Sequence, residues 1–359
     1  MNTMQTTQLA AVALGCAFHA TAAAQTIPAT YDAALVPQID DTSDPNALTY
    51  TWPYAINNAQ TIVGALGNDR GFVWSPSAGP ALLTTLLGEE AEAATGVAID
   101  NQGNLIGTYR PTGGLTLDAL GFHLSAAGRF ETLKGPNPDT IGLAFGMNDR
   151  GMLVGSDGFT SILWRSARGG FVSKEIGGLG GFFSEAVAIN RFGVVAGNSN
   201  TPAEQAIKVY RWTAKGGFEP LPRLVAGAPA SATDINDSGI VVGRAAVSLF
   251  QNKPAYWDAR GSLHVLPSLQ KDVIDVVVLA VNNASTMVGF EAIEATGSSA
   301  AVLWVDDAIY DLNALTANLP AGYELLRATS INERGEITAE ARTFNNGRIE
   351  DQTVVLTPR

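Results

Sequence analysis

Ala232-Thr-Asp-Ile-Asn-Asp-Ser-Gly-Ile-Val-Val-Gly243 decides the fold, because copies of it recur from Ala55 to the end of a 359-residue chain. Seven copies align on an Asn or Asp that follows an apolar residue: Ile56-Asn57, Ile99-Asp100, Met147-Asn148, Ile189-Asn190, Ile235-Asn236, Val281-Asn282 and Ile331-Asn332. Asn57 and Asn332 lie 275 positions and six steps apart, a period of about 46 residues. One coil of a β-solenoid or leucine-rich repeat needs about half that length, whereas a four-stranded propeller blade needs about 40 to 50.

Each copy divides into four pieces. Piece a approaches the Asn through small and apolar residues, as in Ala186-Val-Ala-Ile-Asn190. Piece b ends near a glycine (Gly64, Gly107, Gly155, Gly197, Gly243, Gly289), with Ala339 in that slot of the last copy. Piece c carries Trp74, Trp164, Trp212, Trp257 or Trp304, with Leu124 and Leu356 in the other two copies. Piece d is a short apolar segment such as Ile309-Tyr-Asp-Leu312. No piece sustains a helical period, so all four are expected to be strands. Small residues suit an innermost strand, and Trp suits the space between blades.

Asn236-Asp-Ser-Gly239 and its counterparts meet the needs of a type I turn with a positive-φ fourth residue. Turn chemistry therefore accounts for their composition. Asn57-Asn-Ala-Gln60 and Asn282-Asn-Ala-Ser285 lack the glycine, so these two turns should be strained or differently shaped. The final copy has no piece d, and Tyr31-Asp-Ala-Ala-Leu35 resembles the piece-d segment Tyr310-Asp-Leu-Asn-Ala-Leu315. An N-terminal strand is thus expected to complete the seventh blade and remove an exposed sheet edge. The expected fold is an all-β, seven-bladed β-propeller closed by that strand.

Residues 1–24 read as a secretory signal peptide: an apolar run from Leu9 to Phe18, then Thr21-Ala-Ala-Ala24 before Gln25. The apolar run is too short to span a bilayer as a helix. Residues 25–359 then form one repeat domain in a secreted or periplasmic protein. The sole cysteine, Cys16, lies in the leader, so the mature domain has no disulfide and no Cys-ligated metal. A net charge of −12 disfavours nucleic acid and anionic membrane as partners.

The best copy, Ile176-Gly-Gly-Leu-Gly-Gly-Phe-Phe-Ser-Glu-Ala-Val-Ala-Ile-Asn190 followed by Gly193 and Gly197, resembles the HAF family of extracellular repeats of bacterial exported proteins. The resemblance spans nearly all of residues 25–359. It implies export and a propeller-like architecture, and it carries no set of catalytic residues.

Signals of chemistry are few. Hairpin connectivity puts the a–b and c–d turns on one face and the b–c and d–a connections on the other. The second set varies in length, over residues 108–118, 198–205, 245–253, 291–299 and 342–351, and variable loops on a rigid scaffold are the usual place for binding. Asp40, Asp41 and Asp44 in one connection and Glu89, Glu90 and Glu92 in the next could hold a cation, calcium being the fitting one. The alternative is a solvated acidic surface. His123 and His264 fall in strands of different blades, and no Gly-x-Ser-x-Gly or His-Glu-x-x-His motif occurs. Gly177-Gly-Leu-Gly-Gly181 lacks a Walker lysine. The sequence therefore points to a scaffold that binds a glycan, peptide or protein through its variable face. The alternative is an extracellular polysaccharide hydrolase or lyase with carboxylates near the axis.

Overall fold

The computed structural model describes residues 30–37, 50–67, 70–114, 119–137, 140–248, 251–271, 273–293, 298–345 and 348–359. Its strands pair in chain order into four-stranded antiparallel units, called blades below, spanning 51–82, 91–133, 143–177, 184–220, 230–265 and 273–311. Among the described residues, blades 1 and 2 touch as sheets at one bridge, Arg70 to Ala94. A seventh unit, 323–358, takes its outer strand from Tyr31–Leu35, which runs antiparallel to Arg348–Pro358 with Tyr31 opposite Pro358 and Leu35 opposite Val354. The N-terminal closure read from the sequence is thus present, and Asp32 accepts a hydrogen bond from Arg359 Nε at 2.8 Å across it. Thr316–Ala317 adds a fifth, parallel strand outside Tyr31–Leu35.

Two connections depart from the all-strand expectation. Leu83–Leu87 is a short helix after blade 1, because Leu83 and Leu87, four residues apart, share a face and both are buried. Leu312–Leu315 is a helical turn after blade 6, started by the Asp311 side chain accepting from the Asn313 N–H at 2.8 Å. The likeness between Tyr31–Leu35 and the 310–315 segment therefore ends at the aspartate. The b–c connections also differ from free loops. In blades 4 and 5 the strands run on as Val195–Thr201 with Glu204–Thr213 and Val241–Ser248 with Gln251–Trp257, so much of the variable face is raised hairpin.

Seven apolar clusters hold the blades together, each drawing on two neighbours. One joins Leu221 of blade 4 to Ala232 and Trp257 of blade 5, and another joins Val36 and Val355 to Ile62 and Phe72. Trp164, Trp257 and Trp304 are fully buried, and each indole N–H donates to a carbonyl of the preceding connection: Lys134 at 2.7 Å, Pro222 at 2.8 Å, Pro267 at 2.9 Å. Trp212, buried at the blade 3–4 contact, packs on Val154, Leu163 and Tyr210, and Trp74 is partly buried.

Strand a carries a register shift in every blade at the third residue before the turn, as between Ala232 and Asp234. The piece-b glycine lies opposite this shift. A Cβ on Gly243 would lie 2.0 Å from the Ser231 oxygen, so only glycine lets the strands approach this closely.

All seven a–b turns share one shape, with the Asn or Asp carbonyl accepting from the N–H three residues on. The two copies without glycine keep that shape, so the strain is real and the different shape is not. Gln60 and Ser285 sit at φ 58° and 65°. Gln60 has a reason to stay: its Nε2 donates to Glu336 of blade 7 at 2.6 Å.

Candidate functional site

The turn face is organised by the repeated Asn in a way that its sequence context does not reveal. In each turn the side-chain Oδ1 caps the local N–H groups, as Asn190 does for Phe192 and Val194 at 3.0 Å. The other side-chain atom, Nδ2, leaves the turn and donates to the carbonyl of the same residue in the next blade. Asn57 reaches Asp100, Asn148 reaches Asn190, and Asn190, Asn236 and Asn282 reach Asn236, Asn282 and Asn332, over 2.8–3.3 Å. Asn332 then returns to Asn57 at 3.0 Å and closes the circle. Turn chemistry thus explains half of each Asn, and the other half is a clamp between blades.

Asp100 cannot donate, so the link to Asn148 is missing. The next residue compensates: Asn101 gives both its N–H and its Nδ2 to Asp149, at 2.9 and 2.8 Å. Residues one past the Asn build a second series of links in this manner, open between Asp149 and Arg191, whose guanidinium cannot accept. Asn58 bonds Asn101, Arg191 bonds Asp237, Asp237 bonds Asn283, Asn283 bonds Glu333 and Glu333 bonds Asn58, each through a backbone N–H and a side-chain oxygen.

The two series of links rim a cup of about 490 Å³ on the axis. Ile56, Ile189, Ile235, Val281 and Ile331 contribute apolar wall, and five carboxylates (Asp100, Asp149, Asp234, Asp237, Glu333) face two guanidiniums (Arg150, Arg191). Arg191 lies 3.3 Å from Asp237 and stacks on Phe192 at 4.7 Å. Burial pushes Asp234 up to about 7, with the charge of Glu333 adding to the shift. Burial likewise raises Glu333, helped by Asp237 and Asp149.

The opposite mouth, on the b–c and d–a face, is varied where the turn face repeats. The residue after the piece-b glycine is Ala65 or Thr108 in blades 1 and 2, but Asn198, Arg244, Phe290 and Glu340 in blades 4 to 7. Arg327 lies over the Phe290 ring at 4.6 Å and 3.9 Å from Glu340, which also accepts from the Trp52 indole and approaches Arg342 at 3.8 Å. Burial raises the Glu340 carboxyl above its ordinary range. Arg244 pairs with Asp275 at 3.0 Å, and Asn198 bonds the Ala232 backbone of the next blade.

Of the acidic residues singled out from the sequence, Asp40, Asp41 and Asp44 lie outside the described residues. Glu89 and Glu90 are exposed on a 3₁₀ turn, and Glu92 lies 3.8 Å from Arg110. Among the described residues no three His, Cys, Asp or Glu side chains are grouped to hold a metal ion. His123 is half-buried against Phe171, and burial lowers its pKa; His264 stacks on Tyr256 and lies 3.3 Å from Asp258. The two histidines serve different strands.

No protein-family model matches the chain, and no curated protein matches it in sequence. Solved structures do match it. Virginiamycin B lyase from Staphylococcus aureus aligns with a TM-score of 0.54 at 10% identity, over 91% of this chain and 99% of that one. A streptogramin B lyase gives 0.55 at 13% over 92% and 98%, and YCF48 bound to D1 peptide gives 0.53 at 12% over 93% and 96%. The fold is a β-propeller. Identities this low make the likeness one of fold alone. No described helix is long and apolar enough to cross a membrane.

Proposed function

We propose that this propeller is an exported recognition scaffold of the HAF-repeat type that binds a peptide or protein segment through its b–c and d–a face. One observation carries the reading. Of twelve exposed large apolar side chains among the described residues, eight stand on that face: Leu86, Ile141, Phe159, Phe182, Val225, Leu269, Phe344 and Ile349. Phe159, Phe182 and Phe344 are each about 70% exposed, so the fold gains little from them. The first two are nonetheless held firmly. Asp157 Oδ1 accepts from the N–H groups of Phe159 and Thr160, the Phe159 carbonyl accepts from Ser184, and Asn200 Oδ1 accepts from Phe183 beside Phe182. Rigid, exposed aromatics are the side chains that anchor protein partners. The Trp52, Phe290, Arg327 and Glu340 group at the same mouth offers polar contacts beside them.

A polysaccharide hydrolase or lyase would need free carboxylates near the axis. The axial cup does carry carboxylates, Asp234 and Glu333 among them, which supports that second reading; Asp149, Asp237 and Glu333 also serve the rim by accepting backbone N–H groups.

The purified protein tested on peptide and glycan arrays should bind peptides. Phe159→Ser with Phe182→Ser should weaken the best peptide by about tenfold or more without lowering Tm, as loss of two hot-spot side chains does. Glycan binding that survives the double substitution, or release of product from a polysaccharide panel, would replace this reading. Recovery of the exported protein with Gln25 at its N-terminus is the check on export.

A further inference from the structure

We propose that the axial cup on the turn face binds an alkylammonium group, with Asp234 and Glu333 as its counter-charges. This site lies at the other end of the axis from the recognition face and does not depend on it.

Asp234 is the first reason. Its position, two before the turn Asn, is Ala55, Ala98, Gly146, Ala188, Ala280 or Ser330 in the other copies. Blade packing at this point therefore asks for a small side chain, and blade 5 has placed a carboxylate on the wall of the cup instead. Its oxygens accept from Val281 at 2.9 Å and Ile235 at 2.8 Å, and among the described residues no cationic side chain pairs with it. A half-buried carboxylate that lacks a cation is costly to keep charged. A cation supplied from outside is what the geometry lacks.

The chemistry of the rim narrows the ligand. Its N–H groups are largely consumed within the two series of links, whereas Asp149, Asp237 and Glu333 retain lone pairs. A donor finds partners there and an anion does not. Of the two guanidiniums, Arg191 is already committed to Asp237 and Phe192, and Arg150 lies 6.0 Å from that same ring. That pairing is the protein's own example of a cation seated at this rim.

An organic amine suits the cup better than a metal ion. Calcium wants six to eight oxygens at about 2.3–2.6 Å, and no such grouping exists among the described residues. The isoleucines below the rim would cover methylene groups instead. Binding should also release a proton from Asp234 near neutral pH, since an ammonium group would draw down its raised carboxyl, with Asp100, Asp149, Asp237, Glu333, Arg150 and Arg191 facing the same cup.

The amine could be a free diamine or the lysine of a partner, and calorimetry on the whole protein separates the two. The probes are 1,5-diaminopentane, its neutral analogue 1,5-pentanediol, and an acetyl-Gly-Lys-Gly-amide peptide with its Nζ-acetylated form. The diamine or the lysine peptide should bind while both neutral controls do not; tighter binding of the first indicates a free amine and of the second a protein partner. Asp234→Ala and Glu333→Gln should each weaken binding by about tenfold, the effect of losing one charge pair in a partly enclosed site. Asp234→Ala, which restores the small residue of the other copies, should keep or raise Tm, so that lost binding cannot be ascribed to lost folding. The proposal fails if neither amine gives heat up to about 10 mM, the weak limit of specific binding. It fails equally if the diol binds as well as the diamine, or if both variants bind as the parent does.

Discussion

Ser285 holds a left-handed backbone, φ 65°, in a turn where five of the seven copies place glycine. Unlike Gln60, whose side chain crosses to Glu336, it makes no described bond that would compensate. Ser285→Gly should therefore stabilise the protein by about 1 kcal/mol, the usual cost of a non-glycine residue in that region. A denaturant titration showing no gain would mean that the strain is relieved in a way the backbone does not show. Asp234 gives a pH signature. Its folded pKa is raised from 3.8 to about 7, so the folded chain keeps a proton that the unfolded chain has released. The stabilisation is complete below about pH 4 and is lost as pH rises towards about 7. Asp234→Asn should flatten this slope by about 2 kcal/mol, discounted because the group faces the cup. Unfolding measured at both ends of the window gives the answer, and equal slopes in the two proteins would assign the effect to Glu333 or Glu340, whose pKa values move in the same direction.

Within a blade, the sequence made most of the architecture legible. The Trp of piece c lies between blades as its size required, and the glycine of piece b marks the register shift of strand a. What the sequence concealed was the second use of Asn. Turn rules account for Oδ1, and nothing in one repeat says where Nδ2 goes, since its partner lies 42 to 50 residues away. Asp234 was hidden for a similar reason: within Ala232-Thr-Asp-Ile-Asn236 it looks like an ordinary polar strand residue. The variable segments also looked like loops: the blade 4 extension is built on Asn198, Ser199 and Asn200, polar residues buried through hydrogen bonds, so it carries no apolar alternation. The indole bonds give a test at this scale. Trp257→Phe should cost about 1–2 kcal/mol by orphaning the Pro222 carbonyl, and Trp257→Ala about 3–5 kcal/mol by adding a cavity. If the two substitutions cost the same, the hydrogen bond rather than the packing carries the contact.

Across the whole molecule, Asn links couple six of the seven turns to the next, because one carbonyl accepts from its own turn and from the preceding Asn, and Asn101 to Asp149 couples the remaining pair. Asn236, for example, receives Gly239 N–H and Asn190 Nδ2. Linear repeat arrays unfold from their ends, whereas here every blade has two partners. Thermal unfolding followed by tryptophan fluorescence and by far-ultraviolet circular dichroism should give coincident transitions. Separate transitions would show that the blades act independently and that the links add little.

The seventh blade pairs Tyr31–Leu35 with Arg348–Pro358, and this has a consequence for how the protein is made. During synthesis every other blade can form from a continuous run of chain, but this one waits for a strand that follows all the others. A chain delivered N-terminus first, by the ribosome or across a membrane, would be an open arc with two unsatisfied edges, and it becomes a ring only when the last repeat arrives. Its most vulnerable moment, when an edge could recruit a second chain, falls between those two events.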